Sequence, residues 1–271
     1  MCGRYNILPS AEAWANVLES FGEAIFNQLR AMEPRNDVRP STLVPVVYWS
    51  KEESAPKLEM MRWGFVPHFW RADQPQAPEH THNARIESMP NGGMWKHPIR
   101  YARALMPGSS WIEWQKQLDP ETGEEMKNPQ TRRPLTVPHA MRPENGEFFF
   151  AALYAVNDQW RPGLVTKSCA IITMEPVNEA LRAVHTRMPA ILKPAAFKEW
   201  LDPEQTDPEQ ALDLLRTQHE TEYTIFPSAY TTPSEQTVLQ RVIPPEPKSP
   251  APKKSLVPKK TKPGSNQGDL F

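Results

Sequence analysis

The run Leu43-Val44-Pro45-Val46-Val47-Tyr48-Trp49, followed after a polar break by Lys57-Leu58-Glu59-Met60-Met61-Arg62-Trp63-Gly64-Phe65-Val66-Pro67, sets the fold class. Both runs are short, rich in β-branched and aromatic residues, and read as two strands. Proline accounts for 31 of 271 residues. Each proline removes a backbone donor and breaks a helix interior, so this density favours many short strands and turns over a helical bundle. Further strands are expected in IRYARALMPGSSWIEWQ (99–115, as strand, Gly-Ser turn and strand), LTVP (135–138), FFFAALYAV (148–156), SCAIITMEP (168–176), the apolar run through Ile191, EYTIFPSAY (222–230) and TVLQRVIPP (237–245). Residues 10–30 read as one helix capped by Ser10, with Trp14, Val17, Leu18, Phe21, Ile25 and Leu29 recurring every three or four positions. Shorter helices are expected before His185, over 194–201 and over 208–218, the last opened by a proline in its first turn. The class is therefore α+β.

Loops fill the remainder. Residues 35–41 form a proline-limited loop with two arginines, 71–81 an exposed polar loop, and 116–134 a surface hairpin with Asp119-Pro120-Glu121-Thr122-Gly123 at its tip. Trp160 lies in a loop as a lid. Asn83 is placed to cap a short helix with Ala84 and Arg85 in its first turn, where an arginine opposes the helix dipole. In Trp111-Ile112-Glu113-Trp114 the strand period puts Trp111 and Glu113 on one face. Glu113 is then either at a watered edge or half buried with a raised pKa. Trp63 to Trp70 is dense in aromatics and flanked by Arg62 and Arg71: it is either core or a stacking surface with phosphate contacts. His185, just beyond a helix C-terminus, is either structural or held protonated by that end of the helix.

The formal net charge is −1. From Glu246 onward six lysines face Glu246 and Asp269, a balance of +4, which leaves −5 for residues 1–245. A nucleic-acid site in the folded part must then be a local basic cleft, because the overall field does not attract a polyanion. Only Cys2 and Cys169 are present, so there is no disulfide framework and a reducing compartment is expected, with Cys169 an inert core thiol. No apolar run reaches the roughly 20 residues of a membrane span. With no secretory leader pattern, the mature protein is expected to begin at Cys2 after loss of Met1, which would place a thiol and a free α-amine on one residue.

The seven histidines show no metal-binding spacing, and there is no phosphate loop, dinucleotide fingerprint or nucleophile elbow. Residue types alone leave three functions open: chemistry at the terminal thiol and amine, an autoprocessing cysteine peptidase using Cys2 with His185 and Glu113, or a non-covalent DNA-binding clamp adaptor. Residues 246–271 are dense in proline and lysine and poor in core-formers, so they are expected to be a disordered basic tail.

Several blocks occur together and in order: Cys2-Gly3-Arg4, Arg35-Asn36 through Pro40, Trp63-Gly64 through Pro67, Asn83-Ala84-Arg85 with Glu87, Ile112-Glu113-Trp114, and His185 followed by Arg187-Met188-Pro189-Ala190-Ile191-Leu192. In these the chain resembles the SRAP family (SOS response-associated peptidase domain). The resemblance implies a single compact domain over 2–245, built on curved, mostly antiparallel strands with a barrel-like core and peripheral helices. It implies a sensor of abasic sites in single-stranded DNA that forms a covalent thiazolidine through an exposed Cys2, with abasic-site lyase and crosslink-reversal activity. In that scheme Asn83 hydrogen-bonds the adduct, Glu113 is general acid and base, and His185 assists proton transfer. Arg4, Asn36, Trp63, Gly64, Pro67, Arg85 and Arg187 hold the DNA. The resemblance implies no cofactor or metal, and a monomer at the nucleoid in the bacterial cytoplasm. Two segments depart from the family pattern: GSSWI (108–112) replaces an Ala-Asp-Gly-aromatic-aromatic run, and FPSAYTTPSEQT (226–237) lacks the usual Val-Asn and Asn-Asp pairs. Gln267-Gly268-Asp269-Leu270-Phe271 resembles the bacterial sliding-clamp binding peptide, with Gln267, Leu270 and Phe271 as anchors.

Overall fold

The computed structural model of the protein describes residues 2–8, 15–74, 76–89 and 92–228. The basic tail, its Gln267, Leu270 and Phe271, and the strand expected at 237–245 lie outside the described residues. In chain order the elements are β1 (Tyr5–Ile7), α1 (Ala15–Phe21), α2 (Glu23–Arg30), β2 (Arg35–Val38), β3 (Leu43–Ser50), β4 (Ala55–Trp63), β5 (Asn83–Arg85), α3 (Pro98–Tyr101), β6 (Arg103–Gly108) and β7 (Ser110–Lys116). They continue as β8 (Thr136–Pro143), β9 (Phe148–Asn157), β10 (Thr166–Met174), α4 (Glu179–Val184), β11 (Met188–Pro189), β12 (Ile191–Leu192), α5 (Phe197–Leu201), α6 (Pro208–Thr217) and β13 (Tyr223–Pro227).

The expected α+β class and barrel-like core are both present. Strands β10, β4, β3, β6 and β9 pair in that order, and β9 pairs back to β10, which closes the ring and removes its free edges. The β10–β4 and β10–β5 pairings are parallel and the other pairings are antiparallel. A second sheet runs β13-β8-β7-β1-β2. Alternation along the strands feeds two cores. Val44, Val46, Met61, Trp63, Phe150 and Ile171 cluster with Tyr5, Trp111 and Met141 of the second sheet. Val47, Leu105, Phe149, Leu153 and Ile172 cluster with Ile25, Leu29, Phe197, Trp200 and Leu212 from the helices. Burial on both faces is why these strands read as near-continuous apolar runs.

Three sequence expectations are corrected. The helix expected over 10–30 is two helices parted at Gly22, whose φ of 84° is open to glycine at little cost; Ser10 and Trp14 lie outside the described residues. Residues 35–38 are strand β2 at a sheet edge, not loop, paired with β1. Asn83, Ala84 and Arg85 form β5, not a helix start, because Ile171, Ile172 and Thr173 of β10 supply parallel ladder partners. Arg85 ends this strand as the N-cap of the single 3₁₀ turn Ile86–Ser88, outside any helical turn. The surface hairpin has two turns: Gly123 N–H donates to Asp119 O at 2.8 Å, and Arg132 N–H donates to Asn128 O at 2.9 Å. DPETG and NPQTR share one pattern, with Arg132 at φ 60° in the place of Gly123 at φ 72°.

The Trp63 segment resolves towards core at its start. Trp63 is wholly buried, its Nε1–H donates to His82 O at 2.8 Å, and its ring meets Tyr5 edge-on at 5.2 Å. Trp63→Ala is expected to destabilise the protein by about 3–5 kcal/mol, since it opens a cavity and leaves the His82 carbonyl with the Ile171 N–H alone. The midpoint of urea unfolding checks this, and a loss under about 1 kcal/mol contradicts it.

Candidate active site

The β1–β7 pairing sets the frame. Tyr5 lies opposite Trp111, Asn6 opposite Ser110, and Ile112 N–H donates to Arg4 O at 3.0 Å. Residues 2–4 are thereby laid alongside the strand that carries Glu113. From β5, Asn83 Nδ2 donates to the Cys2 carbonyl at 2.8 Å. From the end of α4, His185 puts Nε2 3.9 Å from Glu113 Oε2. Gln115 Nε2 donates to Ala183 O at 3.0 Å and ties that helix end to β7. Four residues spread over the chain thus converge: Cys2, Asn83, Glu113 and His185.

Their electrostatics follow from burial. Glu113 is 3% exposed, and loss of hydration pushes its carboxyl up to about 7. Of the two sequence readings of Glu113, the buried one with a raised pKa holds. Cys2 was expected to be exposed and is instead fully buried. Burial first, and then the charge of Glu113, raise its thiol well above the ordinary value. It needs a base before it can attack. Of the two sequence readings of His185, the protonated one is disfavoured, because burial lowers its pKa. His185 Nδ1 lies 3.0 Å from the Arg187 N–H and 3.2 Å from the Arg187 carbonyl; the shorter contact favours the neutral ring with its proton on Nε2, towards Glu113. Asn83 Oδ1 is buried and has no hydrogen-bond partner among the described residues, so it is an open acceptor on the amide that bonds the Cys2 carbonyl.

The basic and aromatic residues divide. Arg4 Nε lies 3.4 Å from Asp37 Oδ1, and its guanidinium sits 5.0 Å over the Trp114 ring. Asn36 is exposed on the edge strand, and Arg85 is exposed beside Asn83. Trp63 and Pro67 are buried, so neither ring is open to a base. The exposed rings of that segment are His68 and Phe69, the latter 49% exposed. Gly64 has φ 136°, and a Cβ there would lie 2.2 Å from Arg62 Nη1; its contribution is to let the chain turn past Arg62. Arg187 does not project freely: Nη1 donates to Glu87 Oε1 at 2.7 Å and Nη2 to Thr173 O at 2.6 Å. Sequence reasoning missed Asp37 and Thr173 as the partners of these arginines, and no local pattern marks either. Cys169 is a buried thiol pushed far up by burial. Trp160 is buried, not a lid, with Nε1–H donating to Gln74 O at 3.0 Å. Among the described residues no group of three or more His, Cys, Asp or Glu side chains is arranged to hold a metal ion, and no helix is long and apolar enough to cross a membrane.

A sequence profile for the SOS response associated peptidase (SRAP) family matches residues 1–230. The chain belongs to the SRAP family. The SRAP chain is 30% identical over 219 residues to the abasic site processing protein YoqW of Bacillus subtilis (strain 168), covering 80% of this chain and 87% of that one. It is 25% identical over 201 residues to the abasic site processing protein YedK of Escherichia coli (strain K12), covering 74% and 79%. A phage-related protein of Bordetella bronchiseptica has a similar crystal structure, with a TM-score of 0.58 and 26% identity over 84% of this chain and 94% of that one.

Proposed function

We propose that this SRAP protein processes abasic sites in single-stranded DNA by capturing them covalently at Cys2. The observation that carries the reading is the convergence of Asn83, Glu113 and His185 on the second residue of the chain. The abasic-site processing names of its relatives support the substrate class.

Removal of Met1 frees the Cys2 α-amine, whose ordinary pKa of about 7.7–8.0 leaves part of it unprotonated near neutrality. The amine adds to the aldehyde carbon of the ring-opened sugar. Protonation of the carbinol oxygen by Glu113 then releases water and leaves an iminium. Cys2 Sγ adds to the same carbon, its proton passes to the Glu113 carboxylate, and the C=N electron pair returns to nitrogen. The net change is two new bonds to one carbon and one water lost, a thiazolidine. A carboxyl near 7 can act in both directions at neutral pH. His185 keeps an N–H directed at that carboxyl, and Asn83 Oδ1 is an acceptor for the adduct N–H or the sugar hydroxyl. The intermediate iminium also acidifies the neighbouring C–H, which accounts for β-elimination as a lyase side activity.

Arg4, Asn36 and Arg85 are assigned to the DNA strand, with Phe69 taking the stacking role that the buried Trp63 cannot. On a denaturing gel, a labelled oligonucleotide with one abasic site is expected to shift with the protein and resist heat, while the same oligonucleotide with a thymine does not. Equal, heat-labile shifts of both would favour the non-covalent adaptor. The protein is assigned as a monomer acting at the bacterial nucleoid. Its Gln267-Gly268-Asp269-Leu270-Phe271 end, outside the described residues, is assigned to a sliding clamp, which raises the local concentration at forks. A 20-residue C-terminal peptide is expected to bind a purified clamp and to lose about tenfold or more in affinity with Leu270→Ala and Phe271→Ala together; equal binding of both peptides sinks that assignment.

A further inference from the structure

Glu87 sits in the 3₁₀ turn Ile86–Ser88 directly after β5, with its side chain half exposed. Its Oε1 accepts from Arg187 Nη1 at 2.7 Å, and the Arg187 side chain is only 15% exposed. The other terminal nitrogen, Nη2, donates to Thr173 O at 2.6 Å and lies 3.3 Å from Thr173 Oγ1 on β10. Burial alone would raise the Glu87 carboxyl, but the Arg187 guanidinium outweighs it and holds the group below its ordinary value. One guanidinium therefore clamps three pieces of chain: the turn after β5, the end of β10 and the segment that follows α4.

That segment is the one that orients the histidine. His185 Nδ1 is 3.0 Å from Arg187 N and 3.2 Å from Arg187 O. These contacts demand opposite proton positions. With the amide aimed at Nδ1, the proton sits on Nε2 and points at Glu113. If the turn relaxes towards the carbonyl, the proton moves to Nδ1 and Nε2 offers a lone pair to a carboxylate, which is repulsive. The conformation of residues 185–187 decides between them; its ends are held by the His185 N–H to Leu181 O at 3.0 Å and by the Met174–Met188 pairing, and the Arg187 side chain anchors what lies between.

We propose that Glu87 is a positioning residue of this site: by holding Arg187 it fixes the His185–Arg187 turn and so keeps the proton on His185 Nε2, facing Glu113. The inference deepens the abasic-site reading, on which its kinetic part rests. It divides the two arginines: Arg187 is spent inside the fold, while Arg85 stays open to phosphate.

The test uses the full-length chain with ¹⁵N-labelled histidine. In the wild type, His185 is expected to show the pattern of an Nε2-protonated ring. Glu87→Ala and Arg187→Ala should each move it towards the averaged pattern of a free imidazole, and each should lower the capture rate at saturating DNA about tenfold. The double variant should be no slower than either single, since both remove one clamp. Glu87→Gln retains an acceptor for the guanidinium and should recover most of the loss, whereas Glu87→Lys repels Arg187 and should exceed it. Arg85→Ala should weaken DNA binding without moving the His185 signals. Unchanged His185 signals in Glu87→Ala, or losses from Glu87→Ala and Arg187→Ala that add, would make Glu87 a surface counter-ion only. If the wild-type protein captures no DNA, the function reading fails and the tautomer measurement still decides the role of Glu87.

Discussion

Cys2→Ala is expected to abolish covalent capture of abasic DNA, by more than about a thousandfold, while leaving non-covalent binding within a few fold. The size follows from the chemistry. Alanine keeps the α-amine after Met1 removal, so an iminium still forms, but no sulfur closes the ring and water reverses the adduct. Binding is spared because the side chains assigned to the strand, Arg4, Asn36 and Arg85, are unchanged by the substitution. The buried position of Cys2 sharpens the prediction. A thiol raised by burial reacts little with a general alkylating reagent, so wild-type Cys2 should be slow towards iodoacetamide and fast towards an abasic site. Gel quantification of crosslinked DNA, with alkylation followed by mass, checks both halves.

Glu113→Gln is expected to slow capture about a hundredfold, the scale of one general acid–base group. The step that expels water uses the acid form of Glu113, so wild-type capture should fall off as pH rises above about 7 and the carboxylate forms, whereas the glutamine variant should lack that falling limb. Stability should move in the same sense. The folded-state pKa of Glu113 lies above its unfolded value of about 4.3, so its contribution is fully present below that value and is lost as pH rises through about 7. The difference is on the order of 3 kcal/mol between the ends of the window. Glu113→Gln should therefore gain stability relative to wild type between pH 5 and pH 8, and urea unfolding at several pH values measures it. A variant that is both slower and more stable at pH 8 is the signature of a carboxyl buried for its chemistry.

What could be read from the sequence was what is local. The strands around Leu43–Pro67 and Arg103–Lys116 declared themselves by composition and period, and the same period put Glu113 on one face with Trp111 without deciding whether that face met water. What could not be read was made by partners far along the chain. Asn83–Arg85 is three residues long, and only β10, nearly ninety positions later, makes it a strand. Arg35–Val38 looked like a loop because it is an edge strand whose partner is the three-residue β1. Two placements at the site have the same origin: Trp63 takes the core reading, in a cluster shared with Tyr5 and Phe150, and Cys2 is enclosed by packing that no residue near it in sequence announces. Arg187, too, looks like a free cation until Glu87 and Thr173 are placed around it.

The central claim is that the terminal Cys2 condenses with an abasic sugar, and the intact mass of the full-length protein before and after incubation with a single-stranded oligonucleotide carrying one abasic site tests it most directly. The account predicts a protein lacking Met1 that gains, stably to heat, the mass of the oligonucleotide less one water, and a Cys2→Ala protein that gains nothing. A wild-type protein with a free Cys2 whose mass is unchanged after that incubation would contradict it.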